Sequence, residues 1–111
     1  MKINRHPTFI YFKAETSSLE HFILEVSKSV LGTYEKQNVI VNLLTFGTLS
    51  ENDLVQFLEL SSQHRANKNS FVLVSRDCVI DHVSDELIIV PTLQEAEDII
   101  EMETIERDLG F

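Results

Sequence analysis

A chain of 111 residues, 43% apolar, with nine Lys and Arg against eighteen Asp and Glu, can build one small domain and carries a formal charge of −9. That charge opposes a phosphate backbone, so direct nucleic-acid binding is not expected, and the single Cys78 with four scattered histidines gives neither a disulfide framework nor a zinc spacing. No apolar run approaches the ~18 residues of a membrane span and residues 1–7 hold no signal-peptide core, which predicts a cytoplasmic protein with no membrane partner.

Thr8-Phe9-Ile10-Tyr11-Phe12-Lys13 is rich in aromatic and branched side chains and reads as a first strand at or near a sheet edge, with Pro7 before it. Ser17, three residues before Glu20, opens an amphipathic helix through Leu19, Phe22, Ile23, Val26, Val30 and Leu31. Gly32 stands where a left-handed residue would end that helix. The run Val39-Ile40-Val41-Asn42-Leu43-Leu44 is nearly continuous in apolar character, as a strand covered on both faces requires, and predicts the central strand.

Ser50 caps a second helix and Asp53 answers it from the third position. Leu54, Phe57, Leu58, Leu60 and Ser61 form its inner face, and the polar, partly basic stretch from Gln63 to Asn69 suits the negative end of its dipole. Ser70-Phe71-Val72-Leu73-Val74-Ser75 is another buried strand. Residues 76–85 hold too few apolar side chains for a full helix and read as a short helical turn or a loop. Leu87-Ile88-Ile89-Val90 is a short strand ended by Pro91, after which Thr92 and Glu95 cap a helix through Leu93, Ala96, Ile99 and Ile100.

Strands alternating with helices predict an α/β layer fold of about four strands, mainly parallel and joined by right-handed crossovers, with helices packed on the sheet. The body spans residues 1–104 as a single domain, and residues 105–111 form an acidic tail. From Gln94 to Phe111 seven acids face one base, Arg107, so the negative charge is concentrated there. Acids late in a helix oppose its dipole, and Ile105, Leu109 and Phe111 stand among charges near the end of the sequence. Ile105, Arg107, Leu109 and Phe111 are therefore candidates for docking on a basic groove of a partner; a frayed helix end is the alternative.

No convergent catalytic group is visible. Cys78 beside Asp77 sits in acidic company that raises a thiol pKa, and a small buried hydrophobe accounts for it. Asp81-His82 is a fragment of a hydrolase motif without the His-x-His that would precede it in a two-metal site. Neither a metal nor a cofactor is expected, and no enzyme activity. Gly47 and Thr48 lead into the helix start at Ser50, where backbone N–H groups can hold an anion, but Glu51 and Asp53 already occupy that place.

Residues 38–100 resemble a STAS domain, the fold of bacterial anti-sigma factor antagonists. The resemblance rests on the strand Val39-Ile40-Val41-Asn42-Leu43, the turn Ser50-Glu51-Asn52-Asp53-Leu54, the strand Phe71-Val72-Leu73-Val74 and the closing Ile88-Ile89-Val90-Pro91-Thr92-Leu93-Gln94-Glu95-Ala96. It implies a mixed, mainly parallel sheet and a regulatory protein-interaction module, with a regulatory kinase or sigma-regulatory protein as partner. In that family the corresponding turn carries a serine or threonine that the kinase phosphorylates; here the position falls on Asn52, which cannot accept phosphate, while Ser50 and Thr48 offer hydroxyls nearby. Thr48, Ser50, Glu51, Asn52 and Asp53 are the partner-binding residues that the resemblance implies. The family usually begins with two paired strands, of which only residues 9–13 are evident.

The whole chain also resembles short bacterial proteins often named ribonuclease Z. The nuclease of that name is a metallo-β-lactamase-fold enzyme with a His-x-His-x-Asp-His motif that this chain lacks, so the resemblance implies a role beside the nuclease and no nuclease activity. A thioredoxin-like or small hydrolase domain has a similar order of elements, but there is no Cys-x-x-Cys, and Pro91 follows its strand where the thioredoxin proline precedes one.

Overall fold

The computed structural model describes residues 1–76 and 87–110. Five strands form one sheet in the order β1 (Lys2–Arg5), β2 (Ile10–Lys13), β3 (Val39–Asn42), β4 (Phe71–Val74) and β5 (Ile88–Val90). β1 runs antiparallel to β2, and the other three pairings are parallel. The helices are α1 (Leu19–Gly32), α2 (Glu51–Val55), α3 (Leu58–Ala66) and α4 (Leu93–Asp108). The expected α/β architecture is present, with β3 in the middle of the sheet.

Strand alternation divides the core in two. Ile10, Phe12, Val39, Val41, Phe71 and Leu73 face one side, where they meet Phe22, Val26 and Val30 of α1 and Leu54, Phe57 and Leu60 of α2 and α3. Phe9, Tyr11, Ile40, Val72 and Val74 face the other, where Ala96 and Ile100 of α4 cover them. This is why β3 and β4 are apolar at nearly every position: both faces are covered. The three α1 anchors are fully buried, and each contributes about 1.5–3 kcal/mol of apolar transfer.

Several local expectations change. The sheet has one strand more than expected: Lys-Ile-Asn-Arg at β1 is an exposed edge with a single apolar residue, so it lacks the pattern that marks a strand. Its position comes from the register Ile3↔Phe12 and Asn4↔Tyr11 and from Arg5, which donates to the Tyr34 hydroxyl at 3.2 Å. The α1 cap is Ser18, whose Oγ accepts from the His21 N–H at 3.3 Å; Ser17 is one position early. Gly32 is the last helical residue, and Thr33 ends the helix at φ −122°, so no left-handed residue is needed.

The second helix divides at Gln56 and Phe57. The Phe57 N–H returns to the Leu54 carbonyl at 3.1 Å, a tightened turn that eclipses residues three apart and sends both Leu54 and Phe57 into the core. Residues 105–108 continue α4, so the acidic segment is helical and packs where it begins.

The amino ends of β3 and β4 are tied down by polar side chains. Asn38 donates to the Thr8 carbonyl at 3.0 Å and accepts from the Ser70 N–H at 2.8 Å. Arg107 donates to Asn38 Oδ1 and Ser70 Oγ, both at 3.2 Å. Arg65 grips the Glu103 carboxylate with two bonds, 3.3 and 2.5 Å long. Burial alone would raise the Glu103 pKa, but hydrogen bonds from Arg65 and Ser70 and the charges of Arg65 and Arg107 hold it below the ordinary carboxylate range. His64 is buried, with Nε2 bonded to the Gln37 carbonyl and its ring edge-on to Phe71. Desolvation keeps its imidazole pKa below the usual value, against the opposing pull of that carbonyl and of Glu35. The bases at the end of α3 therefore serve packing and a cross-helix ion pair more than the helix dipole.

Candidate functional site

The carboxyl ends of parallel strands are where open α/β sheets usually bind, because side chains and turn backbone there are not needed for the sheet itself. In this chain that rim is formed by residues 14–18 after β2, residues 43–53 after β3, and Ser75 and Arg76 after β4.

Asn42 launches the rim. It is buried at the last position of β3, where its amide donates to the Tyr11 hydroxyl at 2.5 Å and its Oδ1 accepts from the Leu44 N–H at 2.8 Å. That second bond turns the chain into a 3₁₀ turn over Leu44–Phe46. Gly47 follows at φ +70°, ψ −143°, a backbone region that side-chain-bearing residues rarely adopt. Thr48 pairs with Arg76 in an isolated parallel bridge, and Leu49 anchors the turn by burial.

Ser50 and Asp53 then close on each other. Ser50 Oγ accepts from the Asp53 N–H at 3.2 Å, and Asp53 Oδ2 accepts from the Ser50 N–H at 3.1 Å, the reciprocal cap read from the sequence. Thr48, Ser50, Glu51 and Asn52 are exposed and Asp53 is half-buried, so the five residues form a ridge on either side of the buried Leu49. Two of the five, Ser50 and Asp53, hold the ridge; Glu51 and Asn52 point charge and an amide outward. A depression of about 530 Å³, lined by Ala14, Glu15, Thr16, Ser17, Thr45 and Phe46, lies at the carboxyl ends of β2 and β3. Ser75 is fully buried at the end of β4, and its Oγ has no hydrogen-bond partner among the described residues.

The tail residues part company. Ile105 and Leu109 are exposed at 53% and 66%, while Arg107 is turned inward onto Asn38 and Ser70. Phe111 lies outside the described residues, as do Asp77, Cys78, Asp81 and His82. Sequence reasoning missed Met102, 53% exposed, although its spacing to Ile105 and Leu109 is helical and was available as a signal. It also missed Asn38 and the Arg65–Glu103 pair, whose partners lie 30 or more residues away and leave no local pattern.

Among the described residues no group of three His, Cys, Asp or Glu side chains could hold a metal, and no helix is long and apolar enough to cross a membrane. The chain matches no protein-family model and no curated protein.

Proposed function

We propose that the protein is a non-catalytic, STAS-like interaction module of regulatory type, which binds a protein partner through the ridge formed by Thr48, Ser50, Glu51, Asn52 and Asp53. The observation that carries the reading is the Ser50–Asp53 reciprocal cap: it fixes an exposed turn at the carboxyl end of the central strand, so the backbone that carries Glu51 and Asn52 is ordered before binding. A partner of the regulatory-kinase or sigma-regulatory class fits such a surface. Asn52 removes the usual phosphoacceptor, so the ridge acts as a constant surface in which Glu51 supplies a permanent negative charge. No cofactor, nucleic acid or membrane enters this reading, and its setting is the cytoplasm.

A second reading has its own observation. Met102, Ile105 and Leu109 form an exposed apolar stripe on the last turns of α4, among Asp98, Glu106 and Asp108. This favours an accessory protein that docks through the acidic segment, with ribonuclease Z as the partner that the resemblance suggests.

Affinity capture from native lysate separates the two. The wild type, Glu51→Arg/Asn52→Arg and Ile105→Asp/Leu109→Asp are compared by mass spectrometry of what each retains. Loss of a regulatory kinase or sigma-regulatory protein with the ridge variant alone is the expected result. Loss of ribonuclease Z with the α4 variant alone would transfer the assignment to the second reading.

A further inference from the structure

At the opposite end of the molecule, between α4 and the turn that joins β1 to β2, a groove of about 490 Å³ combines an apolar floor with an acidic wall. Phe9 and Ile100 form the floor and are 6% and 1% exposed, and the His6 ring stacks on Phe9 at 4.3 Å. Glu97 and Glu101 stand one helical turn apart on the wall, and neither has an ion-pair or hydrogen-bond partner among the described residues. Ile105 closes the end of the groove and is half exposed. The single base of α4 does not neutralise this wall, because Arg107 is held by Asn38 and Ser70.

We propose that this groove docks an extended, basic segment of a protein partner, which places two cationic side chains on Glu97 and Glu101 and an apolar one on Ile105. Spacing supports the match. Residues four apart on α4 step about 6 Å along the helix axis. Alternate side chains on one face of an extended peptide step about 6.6 Å, so a cation-x-cation-x-apolar segment registers with Glu97, Glu101 and Ile105. Charge selects the occupant: a second copy of this chain would bring the same acids to the wall, and an acidic peptide or a phosphate backbone is repelled. A lone ammonium ion would leave the half-exposed Ile105 uncovered. The inference deepens the α4 reading above and is independent of the Ser50 ridge.

The test is fluorescence anisotropy on the full chain with a labelled peptide of sequence Thr-Arg-Thr-Arg-Thr-Leu-Thr, acetylated and amidated, and a control in which both arginines are glutamine. The arginine peptide binds the wild type, and Glu97→Gln/Glu101→Gln weakens it by about fivefold, the scale of two exposed ion pairs. Glu20→Gln/Glu59→Gln removes the same charge from exposed positions on α1 and α3 and leaves the affinity within about twofold. Backbone amide shifts on titration then cluster at residues 6–9 and 97–105. Equal weakening by both double variants, equal binding of the glutamine peptide, or no binding at millimolar peptide would each overturn the groove. If the peptide binds as expected while ribonuclease Z is not among the captured proteins, the groove stands and the ribonuclease Z reading alone fails.

Discussion

The two ends of the parallel sheet use polar side chains in different ways. At the amino end Asn38, Ser70, Arg65, Glu103 and Arg107 bond to one another across β3, β4, α3 and α4. At the carboxyl end Asn42 reaches the Tyr11 hydroxyl and Thr48 bridges to Arg76, but the exposed segment from Ser50 to Asp53 is held by its own local cap. The first arrangement joins elements, and its polar groups are engaged with one another. The second makes a turn rigid and keeps its outer atoms available. Substitutions within this amino-end network are therefore expected to appear in stability, and substitutions at the outer ridge positions in binding.

The largest effect should come from Glu103→Ala, which strands the half-buried Arg65 guanidinium and removes an acceptor from Ser70. A loss of about 2 kcal/mol in urea unfolding is expected. A loss within error of zero would mean that the amino-end network does not join the elements.

Acid acts on the same end. The folded His64 pKa lies below the ordinary imidazole value, so the unfolded chain takes up the proton first. Its contribution is complete above about pH 6.5 and is lost as pH falls through the folded value. Glu103 is also depressed, so its contribution is complete above the ordinary carboxylate range and disappears on further acidification. Both act in one direction: urea midpoints should fall in two stages as pH is lowered, and His64→Leu should abolish the first stage only.

Gly47→Ala comes next, at about 1–2 kcal/mol. No atom of the described residues crowds a Cβ there, so the loss is expected from the backbone at φ +70°, and thermal melts of the variant measure it. Ser50→Ala should cost about 1 kcal/mol through the lost cap, while Ser50→Asp, itself a good cap residue, should cost less than about 0.5 kcal/mol. An equal loss in both would show that the hydroxyl does more than accept the Asp53 N–H.

Much of this architecture was legible because it rests on short-range signals. The apolar runs at residues 39–44 and 70–75, the Ser50/Asp53 and Thr92/Glu95 pairs and the buried spacing of Phe22, Val26 and Val30 all lie within a few residues of their partners. The edge strand β1 was not legible, since an exposed strand held by its neighbour needs no apolar alternation of its own. The division between α2 and α3 left no Gly or Pro to mark it; Phe57 tightens the turn because the core accepts its ring. The Ser50–Asp53 cap was legible and the resemblance pointed to the turn around it, whereas the groove at Glu97 and Glu101 was hidden because His6 and Phe9, which complete it, lie some 90 residues earlier in the chain.

The outer positions of the ridge are expected to be a binding surface that the fold does not need. Partner capture by Glu51→Arg/Asn52→Arg, measured on protein whose urea midpoint matches the wild type, tests this directly. The expected result is an unchanged midpoint with the regulatory partner lost; full retention of that partner by the folded variant would contradict it.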